Sequence, residues 1–134
     1  MTKTYSNELQ QALVNTSVID GKVKAYQATI TLASQASADT IVIAKARQGE
    51  KFIGGILTTD TSLGSAKIQI GYADDADKYK ADAVFTAVNT PTLFGNAAAM
   101  AALAADEEIF ITVGTASLPG SGTLKVTMFF AVNN

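Results

Sequence analysis

The densest cluster of chemically capable side chains is acidic. Asp74, Asp75 and Asp77 place three carboxylates within four positions, and oxygen-rich clusters of this kind can hold calcium. An EF-hand loop, however, needs a central glycine and a distal glutamate in register, and neither is in place here. Lys78 and Lys80 also neutralise the cluster locally. The segment Gly71–Lys80 therefore reads as a solvated loop joining two strands. A second run, Asp106-Glu107-Glu108, could supply half of a carboxylate pair for glycoside hydrolysis. That chemistry needs a second acid across a sugar cleft, usually with aromatic platforms. The run has a sufficient structural reason as charge flanking the aggregation-prone strand Ile109–Val113.

No serine has an activating base within a suggestive spacing: Ser65 and Lys67 stand at the entry to a strand, and no S-x-x-K falls in a suggestive place. Phosphate-cradling glycine patterns do not occur; Gly114, Gly120 and Gly122 belong to a hairpin. Tyr5, Tyr26, Tyr72 and Tyr79 could stack on sugars, but tyrosines at strand edges more often pack.

The sequence contains no histidine, cysteine or tryptophan. It thus lacks the commonest general base and metal ligand. It also lacks a thiol nucleophile, a thiolate site and any disulfide. The expectation is a protein with no catalytic residues, no metal and no cofactor. A carbohydrate-active β-sandwich enzyme is disfavoured by the same absences. The net charge of −2 and the single arginine, Arg47, give no basic cluster for nucleic acid. The N-terminus is too polar for a signal peptide. The low-polarity run Ala97–Ala105 is too short to span a bilayer. The chain reads as made and kept in a cytoplasm-like compartment, with neither a nucleic acid nor a membrane as partner.

These side chains must be positioned by strands. An apolar share of 48% is enough for a core without disulfides. The chain divides at Gly21 into an arm, residues 1–21, and a β domain, residues 22–134. From Tyr26 to Leu32 apolar and polar residues alternate, the mark of a half-buried strand. Thr40–Ala46 and Phe52–Leu57 are apolar on both faces, as expected of central or doubly covered strands. Gly54-Gly55 predicts a bulge or a close backbone approach. Further runs cover Lys67–Tyr72, Ala83–Val88, Glu108–Gly114 and Thr123–Val132, separated by turn residues. Asn96–Ala105 reads as a short helix or a loop, with Asn96 as N-cap. Seven or eight short strands at this spacing indicate an antiparallel sandwich or barrel. A two-sheet arrangement would place Ile30, Leu32, Ile43, Phe52, Ile68, Ile70, Phe85, Ile111, Val126 and Phe130 in its core.

The segments Ala38–Ala44, Gly49–Leu57, Ser62–Gly71, Thr90–Gly95, Ala105–Val113 and Ala116–Leu124 together resemble small structural proteins of tailed bacteriophages, of the head decoration or cement type. The likeness runs from Val23 to Phe130 and is one of texture. It implies an all-β, jelly-roll-like sandwich in the virion, on the capsid surface, made in the host cytoplasm. It implies a homo-oligomer, with a trimer favoured over a dimer, that binds the major capsid protein and stabilises the assembled head. A tail or fibre component, or a module binding a host surface, is the alternative. The arm lies outside the resemblance. Its apolar residues Tyr5, Leu9, Leu13, Val14, Val18 and Ile19 are too sparse to fold alone, and are expected to be anchors that bind a partner.

Overall fold

The computed structural model describes residues 21–133. They form eight strands: β1 Gly21–Thr31, β2 Thr40–Ala46, β3 Lys51–Thr59, β4 Lys67–Tyr72, β5 Asp75–Val84, β6 Thr92–Phe94, β7 Glu107–Gly114 and β8 Thr123–Asn133. One sheet has the order β1-β8-β3-β6 and the other β2-β7-β4-β5. Every ladder within them is antiparallel. The fold is the expected all-β sandwich. Among the described residues, only β4 and β5 are joined as a hairpin within one sheet; every other consecutive pair of strands lies in opposite sheets.

Period-two alternation explains the core. In β8, Leu124, Val126, Met128 and Phe130 are all buried while the residues between them are less so. In β7, Ile109, Ile111 and Val113 do the same from the opposite sheet. All ten core residues expected from the alternation are buried. At one end of the sandwich the filling is aromatic. The rings of Phe52 and Tyr79 lie 4.9 Å apart, Phe52 and Phe130 5.6 Å, and Tyr26 and Phe130 5.4 Å, all edge to face. That is the favoured geometry of aromatic pairs.

The two strands read as apolar on both faces take different places. β3 is interior to its sheet, but β2 is an edge strand. A register shift between Val42 and Ala44 in β2 turns Ile43 and Ala44 both toward the core and leaves Val42 outside. The expected bulge at the glycine pair is present, between Phe52 and Gly54. Gly54 has φ 143°, where a side chain would be strained. A Cβ on Gly55 would run into the ring of Phe94.

Three local expectations are corrected. Gly71–Lys80 is not a loop: β4 turns at Ala73-Asp74 and β5 starts at Asp75, carrying the fully buried Tyr79. Two register shifts along β4 and β5 break the alternation that would have revealed this strand. Of Ala83–Val88, only Ala83 and Val84 belong to a strand; Phe85 is buried from the loop. The alanine run forms one 3-10 turn, Ala97–Ala99, and Asn96 does cap it by accepting from the Ala98 N–H. A longer helix would have little to bury, since Ala99 and Leu103 are the buried residues of that run, and a short isolated helix is marginal in water.

Candidate interaction surface

Strand pairing sorts the outward residues of the β1-β8-β3-β6 sheet into rows. Val23, Ala131 and Lys51 form one row. Ala25, Phe129 and Gly54 form the next, with the bulged Ile53 beside Gly54. Gln27, Thr127, Ile56 and Leu93 form the third. The intervening rows, such as Tyr26, Met128, Gly55 and Phe94, point into the core. The next outward row, Thr29, Lys125 and Thr58, is polar, so the outer face carries an apolar patch over part of its length. Leu93 is 80% exposed, Val23 62% and Ile53 46%, while Phe129 and Ile56 are half-buried. A contiguous exposed apolar patch marks an interaction surface more often than scattered single residues do.

The other sheet presents a different outer face. Its rows include Thr40, Thr112 and Gln69; Val42, Phe110 and Gly71; Gly114, Lys67 and Val84; and Lys45 with Glu108, whose charged atoms are 3.9 Å apart, so exposed Val42 and Val84 stand among polar and charged residues. Each sheet carries four lysines on its strands, Lys45, Lys67, Lys78 and Lys80 on this one, but the carboxylates are segregated. The strands of the apolar-faced sheet contain Lys22, Lys24, Lys51 and Lys125 and no carboxylate. Asp75, Asp77, Asp82, Glu107 and Glu108 all lie on strands of the other sheet.

Two buried carboxylates support the aromatic end beneath the apolar face. Glu50 accepts from the Tyr26 hydroxyl at 2.7 Å and the Arg47 N–H at 3.1 Å, and Lys24 lies 3.4 Å away. Burial alone would push the Glu50 carboxyl up. The three partners outweigh burial and hold it below the ordinary carboxylate range. Glu107 accepts from the Tyr79 hydroxyl at 2.6 Å and pairs with Lys78 at 2.6 Å. Burial, followed by the bond to Glu107, pushes the Tyr79 hydroxyl far up, so it is a donor at every physiological pH. Each carboxylate thus fixes a tyrosine whose ring packs against Phe130. The acidic run is split by its surroundings: Asp106 accepts from the Gln48 N–H at 2.8 Å, Glu107 faces inward and Glu108 faces solvent. These roles are structural.

Asp74, Asp75 and Asp77 are exposed at the β4–β5 hairpin. A hydrogen bond to Asp75 and its charge push Asp77 up. Among the described residues no group of three or more His, Cys, Asp or Glu side chains is placed to hold a metal ion. No helix there is long and apolar enough to cross a membrane.

The sequence-predicted anchors Tyr5, Leu9, Leu13, Val14, Val18 and Ile19 lie outside the described residues. What the structure adds is the attachment point: the arm joins β1, an edge strand of the apolar-faced sheet. Val23, Phe129 and Leu93 are surface residues outside the sequence expectations. The available signal was Phe129, an aromatic in the outward phase of β8.

No known family matches the sequence, and no curated protein matches it. The fold does match solved structures. A chain of the cyanophage Pam1 capsid asymmetric unit aligns with a TM-score of 0.70 at 13% identity, covering 87% of this chain and 89% of that one. A chain of the capsid of Ralstonia phage GP4 gives 0.63 at 14%, covering 86% of each. A chain of the acid-stable capsid of Helicobacter pylori bacteriophage KHP30 gives 0.60 at 9%, covering 86% of this chain and 95% of that one. At these identities the likeness is one of fold.

Proposed function

We propose that this chain is a structural protein of a bacteriophage virion, a head decoration (cement) protein that binds the assembled shell and stabilises it. The observation that carries the reading is the whole-domain likeness to three chains from phage capsids, each covered over most of its length. The order β1-β8-β3-β6 facing β2-β7-β4-β5 supports a jelly-roll reading of the sandwich, a fold common in viral shells.

The function needs no catalysis. A protein that binds the assembled shell and not its free subunits stabilises the shell by its own binding free energy. At a free concentration of about 100 times Kd this amounts to about 2.7 kcal/mol per site. Repetition over many copies multiplies the effect. The partner is the major capsid protein, the location is the capsid surface, and a homo-oligomer, a trimer in preference to a dimer, matches local symmetry axes of a shell. Residues 1–21 act as the gripping arm, with Tyr5, Leu9, Leu13, Val14, Val18 and Ile19 as anchors. Residues 22–134 are the domain that carries it.

Separating virions into heads and tails and quantifying the protein by mass spectrometry tests this reading. It expects the protein with the heads, in many copies. Recovery with the tails would replace it with a tail or fibre role.

A further inference from the structure

We infer that the apolar outer face of the β1-β8-β3-β6 sheet is the seat for residues 1–20 of an adjacent copy of this chain. The inference rests on the proposed role of those residues as a gripping arm, and it names what they grip.

The face itself disfavours simple self-stacking. Its apolar residues step diagonally across the sheet from Val23 on β1 through Phe129 and Ile53 to Ile56 and Leu93, and the charged side chains in its outward rows are Lys51 and Lys125. Two such faces laid on each other would bring lysines together with no carboxylate in the outward rows of either to pair them. An occupant that complements this face is apolar and carries at least as many carboxylates as cations. Residues 1–20 have this composition. They hold Tyr5, Leu9, Leu13, Val14, Val18 and Ile19, with Glu8 next to Leu9, Asp20 next to Ile19, and Lys3 as the one basic side chain.

Position and reach point to a neighbouring copy. The arm enters at Gly21, opposite Asn133, at the end of the sheet where the row of Val23, Ala131 and Lys51 lies. Its twenty residues, fully extended, would reach at most about 66–72 Å. A four-stranded sheet is only about 15 Å across its strands, so reach is ample. β1 is already extended and paired at Gly21, so a chain continuing in that direction leaves its own sheet. Covering its own face would require a reversal immediately before the first paired residue. Seating the arm on a copy that lies ahead of β1 requires none. An arm exchanged head to tail in this way makes a heterologous contact, which closes into a ring if the rotation allows.

The test uses the full-length chain in solution, without particles. A photocrosslinking residue (benzoylphenylalanine) replaces Leu13, the sample is irradiated, and products are sized on a denaturing gel and mapped by mass spectrometry. The inference expects covalent dimers or higher species, with linkages at Ile53, Ile56, Leu93 or Phe129. Linkages confined to the monomer band, linkages to another surface, or none, would overturn it. Introducing Ile53→Asp with Leu93→Asp should lower the yield of covalent dimer by about tenfold or more. Because both side chains are substantially exposed, the melting temperature should move by less than about 3 °C. Leu93→Asp alone serves if the double variant folds poorly. An unchanged dimer yield in a folded variant would also overturn the inference. Failure here would leave shell binding standing, whereas intact crosslinking with no affinity for heads would remove the decoration reading alone.

Discussion

Removing one buried hydroxyl tests how the aromatic end of the sandwich is held. Tyr79 is fully buried, and its ring packs against Phe52 at 4.9 Å and Phe130 at 6.2 Å. Tyr79→Phe keeps those ring contacts and deletes only the donor to Glu107, a bond of 2.6 Å. Glu107 is itself buried, so water cannot freely replace the lost partner. Its remaining partner is Lys78, also at 2.6 Å. Hydrogen bonds to charged groups are worth about 1.5–3 kcal/mol. The expected loss is therefore about 1.5–3 kcal/mol, or a fall in Tm of about 5–15 °C for a domain of this size. Urea unfolding and calorimetry would measure it, and Tyr26→Phe is the internal comparison. Tyr26 makes the analogous bond to Glu50 at 2.7 Å but is only half-buried. Its loss should cost less, about 0.5–1.5 kcal/mol. A Tyr79→Phe protein within about 0.5 kcal/mol of wild type, or less affected than Tyr26→Phe, would refute the reasoning.

Two further perturbations follow from the same geometry. The Glu50 carboxyl is held below its ordinary range. Its contribution is therefore present above the unfolded carboxylate pKa of about 4.3 and is lost as pH falls through the lower folded value. The stability gap between wild type and Glu50→Gln should be full at neutral pH and narrow as pH falls below about 4; a gap independent of pH would contradict this. Gly55→Ala should destabilise by about 1–3 kcal/mol, because its Cβ meets the Phe94 ring, and Phe94→Ala in the same chain should recover part of that loss. Additive losses in a double-mutant cycle would show that the contact is not the cause.

The core was readable because its strands keep strict alternation. β8 carries Leu124, Val126, Met128 and Phe130 in phase, and all four are buried. Where alternation is broken, the strands are not legible in the sequence. The glycine pair at Gly54-Gly55 announces the bulge in β3, whereas the register shift near Ile43 has no glycine to mark it. The same apolar-on-both-faces pattern therefore described an interior strand in one case and an edge strand in the other. β5 was hidden by its carboxylates and by two register shifts. β6 is three residues long, too short for any period to show. The apolar outer face was the least legible feature. Phe129 sits out of phase with its strand's core residues, but it becomes part of a patch only when Ile53 and Leu93 are brought across the sheet. That juxtaposition depends on strand order, which local patterns do not encode.

Shell stabilisation by the arm-bearing protein is the central claim, and reconstitution measures it most directly. Expanded heads prepared without this protein would be mixed with the full-length chain or with a chain lacking Thr2–Asp20, and bound copies and head rupture temperature recorded for each. The account predicts saturable binding of the full-length chain in fixed proportion to capsid subunits, with a raised rupture temperature. It predicts little binding and no such rise for a truncated chain that still unfolds cooperatively. A full-length chain that leaves the rupture temperature unchanged at saturation, or a truncated chain that binds and protects heads equally well, would contradict it.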